Sequence, residues 1–151
     1  MSFKADISKF KQQTLKKIER TRKGATFRLF AAVIRDTPVG NVDTWNMTDA
    51  QKRAVKKQGY TGGMLRNSWI CTRNSPSREL GASGESEEQV ISRTLGTINT
   101  SRGDDTLFLV NNQPYAERVE FDGWSYKKAP QGMVRKNIRR FHKLFKEALN
   151  S

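Results

Sequence analysis

The sequence predicts an α+β fold, a long N-terminal helix and a C-terminal amphipathic helix packed on a small antiparallel β-sheet. Three observations carry this. Residues 2–35 contain no proline and place apolar side chains at helical spacing. Two short segments, 66–73 and 106–110, are rich in β-branched and aromatic residues and are bounded by turn formers. From about residue 131 onward, an apolar and a basic face alternate with the helical period. A chain of 151 residues suits one domain spanning 1–151, and 35% hydrophobic content is enough for a core.

In the first helix, Phe3, Ile7, Phe10, Thr14, Ile18, Thr21 and Ala25 recur at spacings of three and four. They form one stripe, expected to lie against the subunit's own sheet or a neighbour's flank, with Lys9, Lys16, Arg20 and Lys23 on the opposite face. Gly24 interrupts the pattern and allows a bend. Beyond it Phe27, Phe30, Ala31 and Ile34 fall on the formerly polar side, while Leu29, Ala32 and Val33 continue near the stripe. This end of the helix is therefore expected to be covered on both sides. Asp36-Thr37-Pro38 ends it, because the residue before proline avoids the helical region. Residues 37–47 read as a loop containing Gly40 and Trp45. Thr48 and Gln51 form a capping box for a short helix to about Lys57, within a loop insertion at about 46–58. Gly59, Gly62 and Gly63 demand turns, and Arg66 to Arg73 reads as a strand.

Residues 74–86 are rich in serine, glycine and glutamate and read as a flexible loop ordered by assembly. Ser86 followed by Glu87, Glu88 and Gln89 signals a helix start. Val90 or Ile91, Leu95 and Ile98 supply its apolar face; a strand is the alternative, since Val90, Ile91 and Thr94 are β-branched. After a turn at Gly103-Asp104-Asp105, Thr106 to Val110 reads as the clearest buried strand. Residues 111–133 read as mostly irregular, with Pro114, Gly123, Pro130 and Gly132 as punctuation. In the terminal helix, Val134, Ile138, Phe141, Leu144, Phe145, Ala148 and Leu149 cover one face. Arg135, Lys136, Arg139, Arg140, Lys143 and Lys146 cover the other.

Net charge is +13, and its distribution is uneven: residues 1–36 and 127–151 carry +7 each, whereas 37–126 carries −1. The ends are either solvated basic helix faces or surfaces for a polyanion or acidic neighbouring subunits. In the second reading Lys9, Lys16, Arg20, Lys23, Arg135, Arg139 and Lys143 face the partner. Cys71 is the single cysteine, which rules out an internal disulfide and fits a reducing compartment. No apolar run suggests a membrane span or a secretory leader.

Catalytic candidates are few. His142 is the sole histidine and sits at the border of the terminal apolar face, so a histidine dyad or a histidine-rich metal cluster cannot form within the chain. Cys71 lacks a CxxC companion and reads as a packed thiol. Glu87/Glu88, Asp104/Asp105 and Glu117/Glu120 are explained as a helix-start pair, a turn pair and a local pair. Neither a cofactor nor a metal is expected. Zinc-finger spacing, an aromatic RNA-binding strand and a helix-turn-helix are all missing from the sequence.

Two blocks carry more information. The first is Asp36-Thr37-Pro38-Val39-Gly40-Asn41, then Trp45, then Gly59-Tyr60-Thr61-Gly62-Gly63-Met64-Leu65-Arg66-Asn67-Ser68-Trp69. The second is Asn111-Asn112-Gln113-Pro114-Tyr115-Ala116, Glu120, Gly123-Trp124-Ser125 and Ala129-Pro130-Gln131-Gly132-Met133-Val134. In order and spacing they resemble the neck, or minor tail and tail-completion, family of tailed bacteriophages. The matching positions are Pro38, Gly40, Gly62, Gly63, Leu65, Arg66 and Trp69, then Asn112, Pro114, Tyr115, Glu120, Gly123, Pro130 and Gly132. The insertion at 46–58 and the extra Asp122 depart from the pattern, and nothing in 74–105 matches it.

The resemblance implies a subunit without enzymatic activity that forms a ring with copies of itself. Head-completion or adaptor proteins would lie above it, a tail terminator or tail tube below, and duplex phage DNA would pass through the lumen. It implies residence at the head–tail junction of the virion, with assembly in the host cytoplasm. A tail terminator subunit and a free, non-specific nucleic-acid-binding protein are the alternatives. Trp69 and Tyr115 are expected to pack in the core. Phe27, Phe30, Ile34, Trp45 and Trp124 are the expected subunit contacts; for the helix patch, the C-terminal helix is the competing cover.

Overall fold

The computed structural model describes residues 2–81, 84–125 and 127–151. It begins with the helix that the proline-free stretch demands. α1 (Phe3–Arg35) starts on Ser2, whose side chain accepts from the Ala5 N–H, and ends as the chain turns toward Pro38. There Thr37 Oγ1 donates to the Val33 carbonyl at 2.7 Å, satisfying an acceptor that the helix end leaves open. The helix runs through Gly24 without interruption. Gly24 serves a close approach instead: a Cβ there would lie 3.4 Å from the Ala148 Cβ of α7 (Phe141–Leu149).

Two more helices start on reciprocal caps. Thr48 and Gln51 close the capping box of α2 (Asp49–Lys57), and Ser86 and Gln89 that of α4 (Glu87–Asn99). Segment 87–99 is therefore a helix and not a strand, burying Val90, Thr94 and Ile98 at spacing four. Arg66 and Asn67, expected to open a strand, belong instead to the one-turn helix α3 (Met64–Asn67), and β1 is confined to Trp69–Arg73. β1 pairs antiparallel with β2 (Leu107–Asn111), Trp69 opposite Asn111 and Arg73 opposite Leu107. Among the described residues the sheet has only these two strands. β2 is consequently half-buried along its length and not the buried strand expected of 106–110. The segment expected to be irregular contains α5 (Ala116–Phe121), and the terminal helix is divided at Arg140 into α6 (Val134–Arg139) and α7.

The architecture is the α+β arrangement expected, with one difference in layering. α1 packs on α7 and α4, and α4 in turn covers β1. The core gathers Val33 and Ile34 of α1 with Leu65, Trp69, Val90, Val119, Ala129 and Met133. Ile34 is fully enclosed, so it is a core residue of this chain and not the subunit contact expected of it. Phe27 and Phe30 are half-buried.

Coverage of α1 is uneven along its length. The end near Arg35 is enclosed by the chain's own elements, whereas the stripe of Phe3, Ile7, Phe10 and Ile18 is exposed and does not meet the sheet. Residues 3–18 form a helical arm of roughly 24 Å at 1.5 Å per residue, exposed throughout.

Residues 74–86, expected to be flexible, are fastened on both sides. Asn112 Nδ2 donates to the carbonyls of Ser77 and Glu79 at 2.9 Å each, and Glu85 pairs with Arg93 at 3.1 Å. The centre of that loop, Ala82 and Ser83, lies outside the described residues.

Candidate functional site

The two sequence blocks meet on one side of the core. Trp69 is buried, as expected, and its Nε1 donates to Thr37 Oγ1 at 2.7 Å, which ties β1 to the end of α1. The chain leaving α1 then runs beside the glycine turn. A Cβ on Gly62, whose φ is +77°, would sit 2.5 Å from the Gly40 carbonyl oxygen, so only glycine fits there. This approach brings Trp45 and Tyr60 together, with ring centroids 5.2 Å apart and planes tilted by 55°.

The second block docks through side-chain amides. Asn111 Nδ2 donates to the Leu65 carbonyl at 2.7 Å, and Gln113 Nε2 donates to Ser68 Oγ at 2.8 Å. Tyr115 is thereby set opposite the first block, edge-on to Trp124 at 5.7 Å. Lys128 Nζ donates to the Val39 carbonyl at 2.5 Å, a further tie between the blocks.

Between them lies a cleft of about 520 Å³. Its walls are Trp45 and Tyr60 on one side and Tyr115 and Trp124 on the other, over a floor that includes Pro38, Leu65 and Val119. Burial raises the Tyr60 hydroxyl above its ordinary pKa; burial and then the nearby Tyr60 do the same for Tyr115. Both are neutral donors. Among the described residues no carboxylate, histidine or cysteine lines this cleft. Its polar groups include the hydroxyls of Tyr60, Tyr115 and Ser125, and its largely aromatic lining is suited to holding an apolar or aromatic segment. Trp124 is 59% exposed and Trp45 37%, so both stand on its rim. Tyr115 is half-buried.

Behind the cleft sits a carboxylate whose role the sequence reading missed. Glu120 is buried at the start of α6 and accepts from the backbone N–H groups of Met133, Val134 and Arg135 at 2.6, 2.9 and 2.9 Å. Arg135 Nε donates to it at 3.2 Å, and Arg135 Nη2 also donates to the Glu120 carbonyl. Burial alone would raise this carboxyl; the three amides and Arg135 outweigh it and hold the pKa below the ordinary value. Gly132, with φ +78°, makes room: a Cβ there would lie 2.6 Å from Glu120 Oε1. The available signal was that α6 starts at Val134 with no serine, threonine, aspartate or asparagine before it, so its cap had to come from elsewhere. Glu120 is therefore a remote helix cap and not half of a local acid pair with Glu117.

The basic residues divide. Lys9 and Lys16 on the arm, Arg20 just beyond it, and Arg139 and Lys143 near the other end of the chain are exposed and form no ion pair among the described residues. Two others do not face a partner as expected. Lys23 Nζ donates to the Asn99 carbonyl at 2.8 Å and lies 3.5 Å from Glu19, and Arg135 is committed to Glu120.

Cys71 is buried, which pushes its thiol up to about 11, and His142 is exposed. Among the described residues no three His, Cys, Asp or Glu side chains gather to hold a metal ion, and no helix is long and apolar enough to cross a membrane. The chain matches no protein-family model, no curated protein and no solved structure.

Proposed function

We propose that this chain is a non-enzymatic ring subunit of the head–tail junction of a tailed bacteriophage, a neck or tail-completion protein. One observation carries the reading. The two separate blocks that resemble that family come together around a single cleft, to which Pro38, Gly40 and Leu65 contribute from the first and Tyr115 from the second. Such a cleft holds part of a neighbour, and tryptophan and tyrosine, which form its walls, are among the residue types enriched where protein interfaces gain most of their binding energy. In the ring, copies of the chain are the lateral neighbours. Head-completion or adaptor proteins lie above, and a tail terminator or tail tube lies below. Lys9, Lys16, Arg20, Arg139 and Lys143 face acidic neighbours or the passing duplex. Their DNA contact is weak and independent of sequence, because tight binding would obstruct passage.

Mass spectrometry of purified virions tests the assignment. The protein is expected at low copy; its absence under conditions that detect other minor tail proteins would refute the reading. Trp45→Ala and Trp124→Ala test the cleft. Both variants are expected to fold but to lose ring formation in sedimentation and electron microscopy. Rings of normal yield from both would remove the cleft from the interface.

A further inference from the structure

The arm of α1 and the flank of α7 make a second surface, separate from the aromatic cleft. Along α1, Phe3, Ile7, Phe10 and Ile18 lie on one line, with Phe3 80% and Phe10 71% exposed. At Ile18 this line enters an open groove of about 440 Å³ between α1 and α7, whose α7 wall is Phe141, Phe145 and Leu149. These three are also exposed. At ~150–250 Å² per fully buried aromatic, the exposed parts of Phe3, Phe10, Phe141 and Phe145 present roughly 350–570 Å², and Ile7, Ile18 and Leu149 extend the seam. That is at least the size of the largest apolar patch usual on a monomer and approaches one partner's share of a standard interface.

Shape and charge together select the occupant. The floor of the groove is Thr21 and Ala25, both buried between two helices, so a flat surface cannot reach it whereas a third helix can. Among the described residues, the only charged ones lining the groove are Lys17 and Arg22. Arg22 is already neutralised by Glu19 at 2.7 Å. Lys4 and Lys11 run beside the seam, fourteen and seven positions before Ile18 and thus on one helical line with it, and Lys146 adjoins Phe145. Lys4, Lys11, Lys17 and Lys146 form no ion pair among the described residues. Asp6 is the one acid on the exposed arm. A second copy of this chain would bring the same cations against themselves, and like-charge juxtaposition disfavours that pairing.

We infer that the groove is a docking site for an acidic amphipathic helix of a different protein, apolar along one face and carrying glutamate or aspartate on both flanks. Its apolar ridge fills the trough between α1 and α7, and its acids pair with Lys4, Lys11, Lys17 and Lys146. This holds independently of the ring assignment.

Three labelled peptides test it against the full chain by fluorescence anisotropy at physiological salt. One is a designed helix with leucine at spacings of three and four and glutamate on its flanks. The second is its scramble of identical charge, and the third replaces glutamate with lysine. The acidic amphipathic peptide is expected to bind at least tenfold tighter than either control. Phe10→Ser, on the exposed arm and checked for native circular dichroism, is expected to weaken it at least tenfold, as is Lys11→Glu combined with Lys17→Glu. Equal binding of the scramble would reduce the effect to charge alone and overturn the proposal. So would self-association of the chain that Phe10→Ser abolishes, which would make a second copy the occupant. Tighter binding to phosphatidylserine-containing vesicles than to the peptide would assign the seam to a lipid surface instead.

Discussion

Replacing Glu120 with alanine removes the acceptor of three backbone N–H groups at once. Val134 and Arg135 are half-buried, so water replaces part of what their amides lose. Met133 is 1% exposed, and its N–H, 2.6 Å from the carboxylate, is left without a partner. An unsatisfied buried donor costs about 1–3 kcal/mol, and each lost bond to a charged acceptor about 1.5–3 before solvent compensation. The ion pair itself adds little, because the Arg135 side chain is 42% exposed. A loss of about 3–4 kcal/mol follows, which for a chain of this size lowers Tm by roughly 6–16 °C. Thermal unfolding followed by far-UV circular dichroism measures it. Glu120→Gln keeps the shape and loses the charge, and is expected to cost about 1–2 kcal/mol near neutral pH. Because the folded state lowers the Glu120 pKa, its contribution is fully present above the ordinary value of 4.5 and is lost as pH falls through the lower folded value. The gap between wild type and Glu120→Gln therefore narrows in acid. A Tm of Glu120→Ala within about 1 °C of wild type, or a gap that widens in acid, would refute this account of the cap.

Gly132→Ala forces a Cβ into a left-handed residue and against the same carboxylate, and is expected to cost about 2–4 kcal/mol. Combined with Glu120→Ala it should cost clearly less than the two losses added, and strict additivity would disconnect them. Ile34→Ala is expected to cost about 2–5 kcal/mol, whereas Phe10→Ser stays within about 0.5 kcal/mol, in denaturant titrations; equal losses would contradict the enclosed and exposed halves of α1. Cys71, buried and with its thiol pushed up to about 11, should react with a disulfide reagent at pH 8 only on unfolding, and stoichiometric labelling of the native chain within seconds would contradict its burial. Binding to duplex DNA is expected to be indifferent to sequence and steeply salt-dependent, with a slope of about −0.9 per phosphate neutralised, and sequence-selective binding that persists in high salt would support the free nucleic-acid-binding alternative.

What could be read in advance was whatever local chemistry decides. The stop of α1 before Pro38, the capping box at Thr48 and the helix start at Ser86 are settled within a few residues, and they stand where the sequence puts them. α3 and α5 were not legible, because helices this short do not persist on propensity alone and take their stability from tertiary contacts. Charge misled in a specific way. Lys23 and Arg135 look like solvated faces until the fold brings Asn99 and Glu120 to them, and those partners are far away in sequence. Periodicity also has a blind side: it established that Phe3, Ile7 and Phe10 share a face, but not whether anything covers it. The cleft was half legible. Trp45 and Trp124 are legible as partner contacts, but their gathering with Tyr60 and Tyr115 depends on hydrogen bonds from the side-chain amides of Asn111 and Gln113 across the sheet end.

The arm and the core belong to one uninterrupted helix. Ile18 in the open and Ile34 in the interior are separated by roughly 24 Å of the same rod, without a hinge between them. Whatever grips the arm therefore also sets the heading of everything packed on its far end. Lateral play of about 1 Å across ~24 Å of gripped helix amounts to a swing of only about 2–3°. The aromatic cleft turns with that swing as a pointer turns with its shaft. A loop in the same place would transmit position but not direction, whereas this helix transmits both, so that docking at one end orients the subunit at the other.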